Sequence, residues 1–151
     1  MLDRGLLDAL DEALSLYDPG LIDLRDGAHD AMRSTGPDAP RQAAHSGKDL
    51  LDQVLRAGAR DDDVRAQTWW QPVDDAKNGI TRAQRVRLIV ERQGRSDHKQ
   101  VATRITSAGD DLDALRHKRG SAAGLSAVDA VTMAELALKL LLLGKPDPSE
   151  S

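Results

Sequence analysis

Val101, Ile105, Ala108, Leu112 and Leu115 recur at alternating intervals of four and three. That spacing gathers side chains on one side of an α-helix. The pattern predicts a long helix from Ser96, placed to cap it, to about Arg119. Gly120 to Gly124 reads as a loop. Ser126 then caps a last helix to Leu143, with Asp129 completing a capping box and Gly144 and Pro146 as stops. This last helix is apolar on nearly all sides, which places it among other helices rather than in water.

Earlier segments carry the same period. Leu2, Leu6, Leu7, Leu10 and Leu14 mark a first amphipathic helix ending near Tyr17. Asp18-Pro19 restarts the chain as a second helix lined by Leu21, Ile22, Ala28 and Met32, and Gly36-Pro37 breaks it. Asp38 caps a third, with Pro40 in its first turn and Gly58 as its C-terminal cap. Its apolar face runs from small residues (Ala43, Ala44, Gly47) to large ones (Leu50, Leu51, Val54, Leu55). Residues 59–80 are irregular, with a short helix from Asp61-Asp62-Asp63 through Trp69 and turns at Gln71-Pro72 and Asn78-Gly79. Thr81 and Gln84 form a capping box for a helix to about Gln93, with Ala83, Val86, Ile89 and Val90 inward and Gly94 as its stop. The expected architecture is all-α: one domain, a bundle of five to six helices with a long fifth helix and a buried C-terminal helix. Residues 1–37 form an N-terminal helical hairpin packed on a core of 38–144, and 145–151 a disordered tail.

Composition sharpens this picture. The 151 residues hold two Trp, one Tyr and no Phe, so the core is built from Leu, Ala, Val, Ile and Met. One of Trp69 and Trp70 is expected in the core, leaving the other as a stacking platform or interface anchor. With no Cys, disulfides, thiolate nucleophiles, Cys-ligated zinc and iron–sulfur clusters are excluded. The first ten residues lack a secretory apolar core, and the C-terminal apolar run is interrupted by Glu135 and Lys139, so a cytoplasmic protein without a membrane span is expected.

Charge is uneven. Residues 1–40 carry nine acids against Arg4, Arg25 and Arg33, whereas residues 82–104 carry seven bases against Glu91 and Asp97. Arg82, Arg85, Arg95 and Lys99 are therefore candidate nucleic-acid contacts, because guanidinium forks grip phosphate oxygens. The alternative is a solvated face paired with the acidic N-terminal helices. No cofactor is expected. His29, His45, His98 and His117 form no helical zinc pair, the Asp run lacks the features of a calcium loop, and no metal site is expected. No Gly-rich phosphate cradle or nucleophile elbow is present. Arg92 and His98 are separated by five residues. An Arg to polarise phosphate and a His to move a proton are the minimum for metal-free RNA cleavage by the ribose 2′-hydroxyl.

Arg41-Gln42-Ala43-Ala44-His45-Ser46-Gly47-Lys48-Asp49-Leu50-Leu51 resembles the HEPN helix that carries small residues, then a Ser, then Leu pairs. Thr81-Arg82-Ala83-Gln84-Arg85-Val86-Arg87 resembles a basic helix in predicted nucleases found beside prokaryotic Piwi-like defence proteins. Leu112 to Gly120, followed by the apolar helix, resembles the HEPN helix–Arg–loop–His–helix end. The resemblance spans roughly residues 38–143. It implies a homodimer and a metal-independent ribonuclease of toxin–antitoxin or antiphage defence type, with Arg92 and Arg116 on phosphate and His98 or His117 as acid/base. The chain departs from the active HEPN pattern: after Arg116 the expected His position holds Ser121 or Ala122, His117 is adjacent to Arg116, and Arg92–His98 lies one helix early. The competing reading is a non-catalytic helical interaction protein, an adaptor, defence accessory or phage-encoded inhibitor that works through a protein partner.

Overall fold

The computed structural model describes residues 8–116 and 121–148, and of 121–125 only the backbone. Among the described residues there are seven α-helices and no strands: α1 (Ala9–Tyr17), α2 (Gly20–Arg33), α3 (Ala39–Gly58), α4 (Asp61–Arg65), α5 (Arg82–Arg92), α6 (His98–Leu115) and α7 (Ser121–Leu143). A 3-10 turn at Lys77–Gly79 interrupts the connection between α4 and α5. No helix among the described residues is long and apolar enough to cross a membrane.

The third helix organises the bundle, packing against α1, α2, α5, α6 and α7. Its face buries Ala43, Ala44, Gly47, Leu50, Leu51, Val54 and Leu55, every apolar position that the spacing selects. The small-to-large gradient has a steric purpose. At Gly47 a Cβ would stand 3.4 Å from the side chains of both Leu112 of α6 and Val131 of α7, so these two side chains pack directly on the α3 backbone there. Further along, Leu50, Leu51, Val54 and Leu55 fill the wider space, each contributing about 1.5–3 kcal/mol of burial. One cluster of buried apolar residues runs from Leu10 to Leu141.

Local signals explain most boundaries. Asp8 accepts from the Asp11 amide at 2.9 Å, and Asp18 accepts from the Gly20 amide at 2.9 Å, starting α1 and α2. Thr81 and Gln84 close the expected capping box on α5. Gly94, at φ 72°, ends α5: its amide bonds to Glu91 O and that of Arg95 to Val90 O, the paired closure that a left-handed residue permits.

Several expectations are corrected. The Asp38 side chain does not cap α3; it pairs with Arg41 at 3.0 Å. Asp97, not Ser96, precedes α6, and its carboxylate is occupied by Arg95. Ser126 lies inside α7, which begins at Ser121, so the expected loop is helix there and Asp129 completes no box. Ala83 faces outward. Gly58 is the last residue of α3 without positive φ; a Cβ there would meet Ile89 Cδ1 at 2.8 Å and the Tyr17 hydroxyl at 2.9 Å. Its role is close approach, not chain reversal. The helix after Gly94 is the sixth rather than the fifth, and α7 is the longest at 23 residues. Both Trp69 and Trp70 are partly buried against the core. The tail begins ordered: the Asp147 amide donates to Gly94 O at 3.0 Å. The start of the first expected helix lies outside the described residues, as do Gly120 and 149–151.

Across the α1, α2 and α7 junction, Arg25 is 8% exposed and donates to Asp8 at 2.7 Å, Asp11 at 2.9 Å and Glu135 at 3.0 Å. His29, one turn on, meets the other oxygen of Glu135. A desolvated guanidinium shared by three carboxylates ties three helices, and removing it would strand Asp11 and Glu135 with little water.

Gly58→Ala is expected to destabilise the fold by about 1–3 kcal/mol through forced displacement of Ile89 and Tyr17. Gly27→Ala, whose new methyl would lie 3.7 Å from Ser46 Oγ, is expected to stabilise it by about 0.5–1 kcal/mol. Urea denaturation of both variants checks the contrast. The Arg25 hydrogen bond lowers the Asp8 pKa from 3.8 to about 2. Because the folded value is depressed, this stabilisation is complete above about pH 4 and is lost as pH falls towards 2. The Asp8 side chain is 49% exposed, so its contribution is reduced by solvent to about 1 kcal/mol. Asp8→Asn should remove that much stability at pH 6 and little at pH 2 in parallel denaturation curves.

Candidate active site

The small residues of α3 that face the core have neighbours on the same turns that face outward. Arg41 and His45, four apart, and Ser46 emerge into a cleft of about 850 Å³ between α2 and α3. Gly27, Ala31 and Asp30 of α2 form the opposite wall, and Arg116 at the end of α6 closes one side. Two guanidiniums and an imidazole from two separate helices thus converge on one opening. Their side chains are 40%, 34% and 55% exposed for Arg41, Arg116 and His45, so all three are reachable by a ligand.

Carboxylates hold these groups in place without using up their donors. Arg41 pairs with Asp38 at 3.0 Å, His45 with Asp49 at 3.3 Å, and Arg116 with Asp113 at 3.3 Å. Burial alone would raise the Asp113 pKa, but Lys48, at 3.0 Å, and Arg116 overcome it and the pKa is lowered. Asp113 therefore stays ionised and orients Arg116. On the far wall Asp30 is held by Arg33 at 2.6 Å. A planar fork with further N–H groups facing solvent suits a phosphate, and Ser46 adds a hydroxyl to the same opening.

A second groove, of about 860 Å³, runs between α5 and α6. His98 and Lys99 line it at the start of α6, and Asp110 and Asp111 line it near the other end. Trp69 forms part of its wall: the Arg87 guanidinium lies over the indole at 4.4 Å, and the indole N–H donates to Glu91 at 3.1 Å.

The basic segment is dispersed by folding. Arg85 is 8% exposed, donating to Ala59 O at 2.6 Å and Asp61 at 2.6 Å. Arg95 is 5% exposed, bound to Asp97 and to Leu141 O at 3.0 Å. Burial and these bonds make both of them fold tethers and remove them from any basic surface. Arg82 bridges Asp52 at 3.3 Å and Asp110 at 3.7 Å, resting on Gly109. Lys99 is exposed in the groove. Arg92 turns towards α3 and α4, to Gly58 O at 3.4 Å and Asp63 at 3.5 Å, and does not line the groove that holds His98. His117 lies outside the described residues. His45 and Arg41 are cleft-lining candidates that linear Arg-to-His spacing does not find. Their signal is their i,i+4 placement on the outer face of a helix whose inner face is small.

The family model described as predicted pPIWI-associating nuclease matches residues 14–140, and the chain belongs to that family. The match takes in α2 to α6 whole and most of α7, and with them every described wall of both grooves. No curated protein and no solved structure matches the chain.

Proposed function

We propose that this chain is a HEPN-like, metal-independent ribonuclease acting in a defence module beside a pPIWI protein, and that the α2/α3 cleft is its active site. The supporting observation is the convergence of Arg41, His45 and Arg116 on one opening in a member of a predicted nuclease family. Arg116 and Arg41 grip the scissile phosphate and offset the charge that builds on its oxygens. His45 accepts the 2′-hydroxyl proton as that oxygen attacks phosphorus, the P–O5′ bond breaks with the 5′-oxygen taking a proton from solvent water, and His45 returns its own proton to solvent. The products are a 2′,3′-cyclic phosphate and a 5′-hydroxyl, so protons and charge balance without a metal. Single-stranded RNA fits this chemistry because in-line attack needs a flexible ribose–phosphate linkage.

The purified protein is expected to cut single-stranded RNA in EDTA, leaving cyclic phosphate ends, and to spare the same strand made wholly of 2′-deoxynucleotides. His45→Ala and Arg116→Ala should each slow cleavage at least about 100-fold, the usual scale for losing a proton-transfer or oxyanion group. Arg92→Ala and His98→Ala should cut at nearly the wild-type rate. Loss of activity in His98→Ala with full activity in His45→Ala would move the site to the α5/α6 groove. Cleavage of the all-deoxy strand would overturn the 2′-hydroxyl mechanism.

A further inference from the structure

The last helix is buried on one face only, against the expectation of burial on all sides. Its inner face lies in the core, whereas Met133, Leu136, Leu140 and Leu143 form an open seam, between 39% and 51% exposed. The α5/α6 groove is an opening of another kind, because it carries opposite charges at its two ends and an indole between them.

Lys99, Thr103, Thr106, Ser107, Asp110 and Asp111 follow one another along a single face of α6 and line that groove. Lys99 and Asp111 are both exposed, and neither makes an ion pair among the described residues. Asp110 is drawn off by Arg82 of α5, which rests on Gly109. That contact sets the register of the two helices. Arg87, further along α5, and the Trp69 ring that it covers therefore stand opposite the middle of the α6 face.

From Lys99 to Asp111 the helix rises roughly 18 Å, less the reach of the two side chains. A bare phosphate is too small to engage both ends. A longer run of phosphates would bring its next charge against Asp110 and Asp111. The layout suits one nucleotide, and a volume of about 860 Å³ is ample for it. Its phosphate meets Lys99, its base lies along the flat stack of guanidinium and indole, and its base edge faces the free carboxylate. A carboxylate only accepts hydrogen bonds. Guanine alone offers it two adjacent donors, N1–H and the N2 amino group. Adenine and cytosine set a ring acceptor beside their amino group, and uracil flanks its one N–H with two carbonyls.

We propose that the α5/α6 groove binds a single guanosine 5′-phosphate unit, with Lys99 on the phosphate, Arg87 and Trp69 along the base, and Asp111 on its N1–H and N2 amino group. The unit is a free nucleotide or one residue of a single strand, and the chemistry of recognition is the same. This inference is independent of the cleavage reading, since the groove and the cleft share no lining residue.

Intrinsic emission of the full chain tests it, because Trp69 lines the groove. Guanosine 5′-monophosphate should give a saturable change, binding at least about tenfold tighter than adenosine 5′-monophosphate, guanosine or inorganic phosphate. Asp111→Asn should erase the preference for guanine over adenine. Lys99→Ala should weaken the guanine nucleotide and leave guanosine itself unchanged. Both positions are exposed, so circular dichroism should match the wild type. A short all-deoxy strand with one guanine, added as competitor, separates the two sources: displacement of the nucleotide assigns the groove to a strand, and no displacement assigns it to the free nucleotide. No saturable change at millimolar guanosine 5′-monophosphate, an equal response to inorganic phosphate, or a guanine preference that survives Asp111→Asn would overturn the proposal, whatever the nuclease assay reports.

Discussion

At Gly47, where α3 has no side chain, Leu112 of α6 and Val131 of α7 pack directly on its backbone. A methyl group there would touch Leu112 and Val131 together. With Ala43 and Ala44 on the neighbouring turns, this sets how closely α6 and α7 lie against α3, and the spacing of the bundle follows from it. The outward neighbours of these small residues are Arg41, His45 and Ser46. Shrinking the inner face of α3 is thus what brings the end of α6, with Arg116, to the same cleft as the outer face of α3. The interior and the candidate chemistry are two sides of the same helical turns.

Charge supplies the second level of order. The chain is acidic overall, and three of its arginines are spent inside the fold. Arg25 joins α1, α2 and α7; Arg85 holds the carbonyl end of α3 to the start of α4; Arg95 clasps the C-terminus of α7 to the α5–α6 corner. Each is a fork that satisfies groups at a helix terminus or bridges carboxylates from different elements, work for which the guanidinium is better shaped than an ammonium. A count of bases along residues 82–104 therefore overstates the positive surface available to a ligand.

What could be read from the sequence divides along the same lines. Periodicity gave the buried face of α3 residue by residue, and Thr81, Gln84 and Gly94 gave both ends of α5, because these signals act within one or two turns. Ser96 and Ser126 misled because a serine ahead of an apolar run is compatible with a cap and with a helix interior. Contacts decided: Arg95 took the Asp97 carboxylate, and α7 began a turn earlier. The membership in a predicted nuclease family was legible from short basic and small-residue segments. The cleft was not, since Arg41 and His45 reach Arg116 only after α3 and α6 pack. Nor was the open seam on α7, because hydrophobicity along one chain does not say whose surface covers it.

Trp69 and Trp70 are the whole tryptophan complement of the chain, and both belong to the connection between α4 and α5. One indole is stacked under a guanidinium and bonded to Glu91; the other buries its N–H without a partner among the described residues. Intrinsic fluorescence consequently watches a single corner of the molecule. It will register the lifting of this connecting segment long before, or quite apart from, melting of the leucine interior, and it is blind to events near Arg116. Emission and ellipticity recorded on one sample will separate when the segment lets go alone.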